Sequence, residues 1–495
     1  MTKTRWIGLI LFAGTTVLIS LQCGLAEEPA PKEAESLPNI ILCMADDQGW
    51  GDVGFNGHKL LKTPNLDTMA SEGIKFTRWY AAAPVCSPTR GSCLTGRHPY
   101  RYGIYSANRG HLKPEEIGVQ EILKEQGYAT GHFGKWHLGT LTTKIKDANR
   151  GKPGDKTDYS PPWENGFDVC FSTESKVPTF DPMKNPNEVS KATKKGVEEG
   201  GPYGTYYWTG EDQRVPDEQL AGDDSMLIVN QATQFIEASV KQNKPFFAVV
   251  WFHAPHLPVV AGAAHRELYP NHPFGLFGQH YAGCISAIDD SIGRLRSELE
   301  RLNVVDNTML WYCADNGPEG SIQSGPGTAG PFRGRKRSLY EGGVRVPAFL
   351  YWPSKIQSAR SSDIPCVTSD YLPTILDFLQ IAPPDRPLDG ISLKPLIENR
   401  MTKRGKAIGF QSAGNSAWNA GQFKLVATGG QEKGKQPKSG AAQQKFELYD
   451  LLADPSESNN IAANHPDVVA KLNQELADWQ ESCSQSDAGA DYGVD

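Results

Sequence analysis

Residues 39–47 read NIILCMADD, an apolar run of strand-forming residues that ends abruptly in two aspartates. Two further runs have the same form: residues 245–256, PFFAVVWFHAPH, and residues 308–317, TMLWYCADNG. Such continuous apolar runs are typical of buried strands in a parallel sheet. Ligands of these sheets bind beyond the carboxyl ends of the strands. We therefore predict one site built from the polar residues that follow the runs, namely Asp46, Asp47, His253, His256, Asp315 and Asn316.

Helical patterns separate the apolar runs. Isoleucine and leucine recur at alternating steps of three and four over residues 285–302, which predicts one apolar helix face. The fold class is therefore α/β, with a large, mostly parallel sheet flanked by helices over residues 37–384. After residue 385 short strand-like pieces and a final amphipathic helix predict a smaller C-terminal α+β subdomain, residues 385–483.

The N-terminus and the overall charge indicate an exported protein. Residues 1–26 combine two early basic residues, an apolar stretch and small residues, which is typical of a secretory signal peptide cleaved near Ala26. A lipoprotein anchor at Cys23 is the alternative, and no other stretch predicts a membrane span. We expect a periplasmic or extracellular location, in a bacterial envelope because no Asn-x-Ser/Thr acceptor occurs. The net charge of -7 argues against nucleic acid as a partner.

A cysteine stands in unusual company in residues 84–97, PVCSPTRGSCLTGR. Buried structural cysteines usually have apolar neighbours, whereas Cys86 lies among polar and basic residues. Pro88 and Gly91 make a continuous helix or strand through this stretch unexpected. A thiol phosphatase loop is excluded, because its arginine would have to occupy position 92, where Ser92 stands. We expect the Cys86 side chain itself to be used in chemistry.

The polar residues after two of the runs suggest a metal site. Asp46, Asp47, Asp315 and Asn316 offer only oxygen ligands, which suit calcium or magnesium better than zinc. An aspartate pair alone is more often a helix cap or part of a solvated loop. The second pair, at another predicted strand end, is what favours a metal.

Basic residues and histidines near glycines complete the candidate set. Residues 131–139, GHFGKWHLG, place Lys135 and His137 two positions apart, where an anion could be bound and a proton moved. Lys336 lies in a basic cluster followed by a Glu-Gly-Gly turn. Residues 141–216 and 317–338 show little periodicity and predict loops, either of which could cover the site as a lid.

Together these stretches resemble a known family. Residues 86–97, CSPTRGSCLTGR, resemble the type I sulfatase signature Cys-x-Pro-x-Arg followed by Leu-Thr-Gly-Arg, and residues 131–139 resemble the second signature of that family. The resemblance extends to MADDQGWGDVG, HAPHLP, ADNG, YEGGVRVP and LYDLLADPSESNNIA, in the family's order. It implies an alkaline phosphatase-like fold with a mixed sheet, and sulfuric ester hydrolysis.

The resemblance also implies a role for each residue. In that family a maturation enzyme, the formylglycine-generating enzyme, oxidises the motif cysteine to formylglycine, whose hydrate attacks sulfur and later releases sulfate. Carried over, Cys86 is the modified residue, and the other implied roles are a divalent cation held by Asp46, Asp47, Asp315, Asn316 and residue 86, charge neutralisation by Arg90, sulfate binding by Lys135 and Lys336, proton handling by His137 and leaving-group protonation by His256.

The expected substrate is a sulfated carbohydrate, because an exported chain with polar loops suits a sulfated sugar better than a sterol. His253 has no assured counterpart in the family and is a candidate substrate contact. Two alternatives stay open. One is a phosphate mono- or diester hydrolase of the same superfamily, and the other is a non-catalytic relative that binds sulfated glycans, although no catalytic residue is missing.

Overall fold

The computed structural model describes residues 37–186, 200–320, 325–430 and 444–493, together with residues 1, 2, 8 and 14. The predicted signal peptide, with Cys23 and Ala26, therefore lies almost wholly outside the described residues. The chain separates into two units, Met1–Ser36 and Leu37–Asp495, and all helices and strands described below belong to the second. Among the described residues, no helix combines the length and the apolar character that crossing a bilayer requires.

The larger sheet has eleven strands among the described residues. They are β1 (Asn39–Ala45), β2 (Ile74–Tyr80), β3 (Ala129–Lys135), β4 (Val169–Thr173), β5 (Tyr207–Gly210), β6 (Gln213–Arg214), β7 (Phe246–Trp251), β8 (Thr308–Ala314), β9 (Arg345–Tyr351), β10 (Arg360–Ser362) and β11 (Cys366–Val367). Their order is β10-β2-β9-β8-β1-β7-β3-β4-β5-β6, with β11 also paired to β2. The five central strands, from β8 to β4, are all parallel, and β9 runs antiparallel to both of its neighbours.

The central strands are continuous apolar runs because the sheet is covered on both faces. Every residue of β1, β7 and β8 is buried. The helices of the chain are α1 (Pro64–Glu72), α2 (Cys86–Thr95), α3 (Val119–Glu125), α4 (Asp224–Lys241), α5 (Ala263–Arg266), α6 (Gly275–Arg301), α7 (Glu341–Val344), α8 (Tyr371–Leu379), α9 (Lys394–Ile397) and α10 (Pro466–Asp487). Helix α6 contacts α1 and α4, while α2 contacts α3 and α8. The predicted α/β class with a large, mostly parallel sheet is confirmed.

A second, antiparallel sheet follows in the C-terminal part. Its strands are β12 (Ile408–Ser412), β13 (Asn415–Asn419), β14 (Phe423–Thr428) and β15 (Lys445–Asp450), paired in chain order. Leu472, Leu476 and Trp479 of α10 are buried in a cluster with residues of this sheet. The predicted C-terminal α+β architecture is confirmed, and the boundary at residue 384 stays a prediction.

A buried ionic triad connects the second sheet to the larger one. The Lys424 ammonium of β14 lies 2.9 Å from Glu341 Oε1 and 3.0 Å from Glu457 Oε1, and all three side chains are fully buried. Glu341 is the first residue of α7, which leads directly into β9. The second sheet therefore holds the turn that follows the loop carrying Lys336.

One expectation about local structure is wrong in part. Residues 141–216 contain β4, β5 and β6, although the sequence predicts an irregular loop there. These strands are five, four and two residues long respectively, too short for periodicity to reveal, and pairing with β3 stabilises β4. Helix α6 begins ten residues before the predicted apolar face, in a glycine-containing turn that the pattern does not mark. Residues 317–320 and 325–338 contain no helix or strand, as the sequence predicts for a loop.

Candidate active site

Cys86 is the first residue of helix α2 and is buried, with an exposed fraction of 2%. The expectation of a broken stretch is thus wrong, because helix runs through residues 86–95. Pro88 lies in the first turn, where its missing N–H would have no helical partner anyway. A Cβ on Gly91 would lie 2.5 Å from the Tyr102 hydroxyl, so this glycine allows close packing and does not break the helix.

The oxygen-bearing side chains meet at the carboxyl ends of β1 and β8. These strands pair in parallel with Ala45 opposite Ala314, so the residues that follow them emerge side by side. The backbone N–H of Asp47 donates to Asp315 Oδ1 at 3.0 Å, and Asn316 Nδ2 donates to Asp47 Oδ1 at 2.7 Å. The structure brings all four predicted ligands into one cluster.

Three buried cations surround this cluster, and each has a carboxylate of the cluster as its nearest acidic partner. The pairs are Arg90 with Asp315 (2.7 Å), Lys336 with Asp47 (2.6 Å) and Lys135 with Asp46. The six side chains are at most 4% exposed. They come from β3, α2 and loops far apart in the chain, so only the fold brings them together. Arg90 is further fixed by donating to the Lys135 carbonyl at 3.1 Å and by packing on the Trp251 ring at 5.2 Å.

The cluster has the donor atoms that a hard divalent cation requires. Asp46 Oδ1, Asp47 Oδ2 and Asn316 Oδ1 are buried oxygens for which the described residues provide no hydrogen-bond donor. Buried polar atoms are rarely left unsatisfied, and oxygens grouped in this way are suited to calcium or magnesium. Ligand atoms of Asp46, Cys86 and Asp315 also lie within 4.8 Å of one another. The residues present therefore fit a cation beside position 86.

Burial and charge act differently on the three carboxyl groups. Burial alone would raise the pKa of Asp46, but Lys135, His256 and Arg90 outweigh it and hold that pKa well below its usual range. Burial raises the pKa of Asp47 although Lys336 opposes it. Burial and the charge of Asp46 raise the pKa of Asp315 to about 7. Three carboxyl groups crowded in this way favour an added positive charge.

His256 faces the same cluster from the end of β7. Its Nδ1 donates to the Leu257 carbonyl at 2.6 Å, and its Nε2 lies 3.6 Å from Asp47 Oδ2. The side chain keeps 14% of its surface exposed, unlike the carboxylates behind it. Burial and the neighbouring Lys336 lower the pKa of His256, while Asp46 opposes that shift. The ring thus directs Nε2 towards Asp47.

His253 follows the same strand but takes a different direction. It is fully buried, with Nε2 2.7 Å from Thr173 Oγ1 and Nδ1 2.8 Å from Asp224 Oδ2. Both ring nitrogens are therefore occupied inside the protein. The structure does not bring His253 into the carboxylate cluster, and no nitrogen of this ring is left for a substrate.

His137 lies two residues beyond the end of β3. Its backbone is left-handed (φ 58°) and its Nε2 lies 2.8 Å from Asn108 Oδ1, which also accepts from Asn149 Nδ2 at 3.0 Å. His137 Nδ1 is buried and has no hydrogen-bond partner among the described residues. Burial and Lys135 lower the pKa of His137 well below its usual range. A neutral ring with a bare Nδ1 can accept a proton.

Two parts of this surrounding are absent from the sequence-based set. One is the Asn108–Asn149 pair. The other is Lys176, whose pKa is lowered by burial and by the neighbouring charges of Lys135 and Lys336. Both lie on loops without periodicity, and no neighbouring motif marks them. Residues 174–176 read Glu-Ser-Lys, a polar composition like that of any solvated loop. Only their folded positions reveal them.

Comparison with known proteins agrees with this geometry. The sulfatase family model matches residues 38–381, and a model described as N-sulphoglucosamine sulphohydrolase, C-terminal, matches residues 330–482. The chain therefore belongs to the sulfatase family. It is accordingly a sulfuric ester hydrolase, as the resemblance implies.

Individual relatives cover most of the chain. N-acetylgalactosamine-6-sulfatase of Canis lupus familiaris is 32% identical over 410 residues, which are 78% of this chain and 70% of that protein. Arylsulfatase A of Homo sapiens is 29% identical over 508 residues, 97% of this chain and 93% of that protein. The crystal structure of Ps i-CgsB in complex with k-i-k-neocarrahexaose superimposes with a TM-score of 0.72 at 25% identity, covering 91% and 94% of the two chains.

Proposed function

We propose that the chain removes sulfate from a sulfated carbohydrate, using formylglycine made from Cys86 and one divalent cation, calcium or magnesium. The observation that carries this proposal is the position of Cys86, whose sulfur lies within 4.8 Å of ligand oxygens of Asp46 and Asp315 at the edge of the sheet. The carbohydrate class is supported by relatives, among them N-acetylgalactosamine-6-sulfatase and the structure that binds a neocarrahexaose.

Formylglycine and the cation would supply chemistry that unmodified side chains lack. A hydrated formylglycine offers two hydroxyl groups on one carbon, one as nucleophile and one for release, and a cation lowers the pKa of such a hydroxyl and polarises the sulfate. Asp46, Asp47, Asp315 and Asn316 would hold the cation. The rest of the chemistry depends on the chain's own residues.

The two lysines would bind the sulfate group. Both ammonium groups are buried within contact of Asp46 and Asp47, so they stand beside the cation ligands. When a cation neutralises these carboxylates, the lysine charges are available to oxygen atoms of the ester. Arg90 keeps its contact with Asp315 and balances charge behind position 86.

The two histidines divide the proton transfers. His256 presents Nε2 at the partly exposed side of the cluster, where it can protonate the departing sugar oxygen. A bound sulfate ester adds negative charge beside the ring and favours its protonated form. His137 has the bare Nδ1 and accepts a proton from the residue at position 86. The assignments follow from which nitrogen each ring leaves unoccupied.

Maturation and location belong to the same proposal. The Cys-Ser-Pro-Thr-Arg order around Cys86 suits a formylglycine-generating enzyme as partner, and the signal-peptide pattern of residues 1–26 supports export to the periplasm or beyond. The cytosol keeps thiols reduced, and Cys86 takes part in no disulfide. A free Cys86 thiol is the required starting material for the modification.

The phosphoester alternative has one supporting observation. Phosphonate monoester hydrolase of Agrobacterium radiobacter shares the fold, with a TM-score of 0.60 and 19% identity, a likeness that concerns the fold alone. Phosphate and sulfate esters are both displaced in line by such sites, so a phosphate ester arm belongs in every activity assay. The catalytic residues are all present, which disfavours a purely binding role.

The test combines mass spectrometry with a substrate panel. The tryptic peptide that contains residue 86 should show the mass of the aldehyde in active protein, and sulfate should be released from sulfated glycans faster than phosphate from matched phosphate esters. Cys86→Ala should abolish turnover, whereas Cys93→Ala, a buried thiol of the same helix, should keep it. An active preparation with an entirely unmodified Cys86 would refute the mechanism.

A further inference from the structure

A groove of about 480 Å³ is lined by residues that take no part in the chemistry above. It is formed where the loop after β1 meets the loop after β8, together with the segment that precedes α6. We call it the aromatic groove and define it by six of its lining residues: Trp50, His58, Leu60, His272, Phe274 and Thr328.

The aromatic groove shares two wall loops with the candidate site, because Trp50 follows Asp47 on one loop and Thr328 precedes Lys336 on the other. The Gly51 N–H donates to the Thr328 carbonyl at 2.9 Å, and the Thr328 N–H donates to Asp52 Oδ1 at 2.8 Å. These bonds join the loop that begins with Asp46 to the loop that bears Lys336. A chain-like substrate with one unit at the carboxylate cluster could therefore extend along the groove.

In two imidazole rings of the groove, hydrogen bonds determine which nitrogen carries the proton. His58 Nδ1 accepts from the backbone N–H groups of Leu60 and Leu61 at 3.1 and 3.0 Å, and His272 Nδ1 accepts from that of Phe274 at 3.2 Å. Burial lowers the pKa of both histidines, so both are neutral near pH 7. A neutral ring whose Nδ1 accepts must carry its proton on Nε2. Each ring thus offers a donor and does not offer a bare Nε2 to a metal.

The apolar part of the groove is held in place. The Trp50 ring packs edge-to-face on Phe332 at 5.0 Å, and a Cβ on Gly330 would lie 2.9 Å from the Trp50 ring. His272 lies over Gly278 of α6, where a Cβ would come within 1.9 Å of Nδ1. Phe274 is 40% exposed and Leu60 38%, so both leave apolar surface open in the groove. The groove is a preformed surface that combines apolar faces with oriented donors.

We propose that the aromatic groove binds a second sugar unit of the sulfated carbohydrate whose sulfate is removed at the candidate site. A sugar ring has an apolar face that packs on aromatic side chains and a rim of oxygen atoms that accept hydrogen bonds. Exposed Lys59, which also lines the groove, complements an acidic group on that unit. This inference rests on the proposed function and adds that the substrate is an oligosaccharide or polymer.

The experiment compares substrates of two lengths. Wild-type protein and the His272→Ala and Phe274→Ala variants are assayed with 4-nitrophenyl sulfate and with sulfated di- and tetrasaccharides of chondroitin sulfate and carrageenan. We expect the wild-type KM to be lower for the tetrasaccharide than for the disaccharide. Each variant should raise the tetrasaccharide KM about 3–10-fold more than the aryl sulfate KM, as expected for loss of one hydrogen bond or apolar contact.

Binding without turnover supplies an independent measurement. In a Cys86→Ala background, His272→Ala should weaken tetrasaccharide binding by a similar factor in calorimetry, and His272→Gln, which retains an N–H donor, should restore part of it. Leu276→Ala is the matched control, because Leu276 is 48% exposed in the same segment but does not line the groove. Leu276→Ala should leave tetrasaccharide binding unchanged, and also the KM values for the tetrasaccharide and the aryl sulfate.

The outcomes separate the two proposals. If wild-type protein releases no sulfate from any sugar, the proposed function fails and this inference fails with it. If sugars are desulfated but chain length does not change KM, or the variants affect aryl and sugar esters equally, the groove is not a sugar subsite. Tetrasaccharide binding that survives both variants, with the groove instead mediating self-association, would overturn the inference as well.

Discussion

The unmodified Cys86 thiol is poorly suited to the role of nucleophile, and the proposed modification would remove that difficulty. Burial raises the pKa of its thiol, although Lys135 and Lys336 act in the opposite direction. A thiol that stays protonated is a poor nucleophile, because the thiolate is the reactive form. The site therefore surrounds an unmodified cysteine with catalytic groups that it could not use. Conversion to formylglycine removes the dependence on a thiolate.

His256→Ala should separate two kinds of sulfate ester. A sugar alkoxide is a poor leaving group and needs a proton in the transition state, whereas a nitrophenolate departs largely without one. We expect the variant to slow desulfation of a sugar by roughly 10²–10⁴-fold and that of 4-nitrophenyl sulfate much less. Initial rates of sulfate release from both substrates provide the measurement.

Lys135→Ala and Lys336→Ala are the matched variants for that comparison. Both ammonium groups belong to sulfate binding in the proposal, so their loss should slow both esters by similar factors. Equal slowing of the two esters by His256→Ala would assign that ring to sulfate binding or structure. His253 would not replace it as acid, because both of its ring nitrogens are bonded inside the protein.

The register of the parallel strands β1 and β8 brings the proposed metal ligands together. Removing one ligand should therefore remove the ion without unfolding the sheet. We expect about one equivalent of calcium or magnesium in the wild-type protein by elemental analysis, and a loss of most of that metal, with loss of turnover, in Asp315→Ala. Added chelator should inactivate the wild-type protein reversibly.

A buried carboxylate elsewhere provides the control for this experiment. Asp289 of α6 accepts from the backbone of Asn65 and Leu66 at 3.1 and 2.8 Å and caps α1. Asp289→Asn should retain the metal. Stoichiometric zinc in fully active wild-type protein, or unchanged metal content in Asp315→Ala, would contradict the predicted ligand set.

The strands that form the site could be predicted because they are buried on both faces. A continuous apolar run such as β1 is visible in the sequence, and the polar residues after it mark the sheet edge. Strand β4 was not predictable, since five residues leave no measurable period and its stability comes from β3. Helix α2 was mispredicted because Pro88 and Gly91 usually break helices, whereas here one lies in the first turn and the other faces Tyr102.

The contacts that orient the catalytic rings escaped the sequence for a different reason. His137 stands in a motif, but its partner Asn108 lies on a loop with a left-handed backbone and no distinguishing neighbours. Which nitrogen a histidine leaves bare depends on such partners. Motifs therefore identify the reactive side chains, and only the folded chain determines the direction in which each one acts.

At the scale of the whole molecule, the Asp389 side chain connects segments that are far apart in the sequence. Its carboxylate accepts from Arg101 Nε at 2.7 Å, from the His98 backbone at 2.6 Å and from Trp479 Nε1 of α10 at 2.8 Å. Burial would raise its pKa, but Arg101 outweighs burial and holds the pKa of Asp389 well below its usual range. One carboxylate thus links the C-terminal helix to the segment after α2.

Asp389→Asn should lower stability in a pH-dependent way. A carboxyl group with a lowered folded-state pKa stabilises the protein fully above its unfolded pKa, about 4, and loses that contribution as pH falls towards the folded value. We expect a cost of about 3 kcal/mol near neutral pH for breaking the buried pair. The gap in Tm between wild type and variant should narrow below about pH 4.

Thermal unfolding of both proteins between pH 7 and pH 3 provides the measurement. Asp363→Asn serves as control, because Asp363 is exposed and should give a small gap that does not vary with pH. A gap for Asp389→Asn that stays constant over this range would show that the side chain acts through its shape and not through its charge.

The triad of Lys424, Glu341 and Glu457 limits how such a chain can be rearranged by recombination or engineering. Its lysine comes from the second sheet, and one of its two carboxylates begins the turn that follows the lysine loop of the active site. Replacing this sheet with one from another protein would remove Lys424 and leave the buried Glu341 with Arg345, at 3.3 Å, as its cation among the described residues. We therefore expect a replacement sheet to be tolerated best when it keeps a lysine at the place of Lys424.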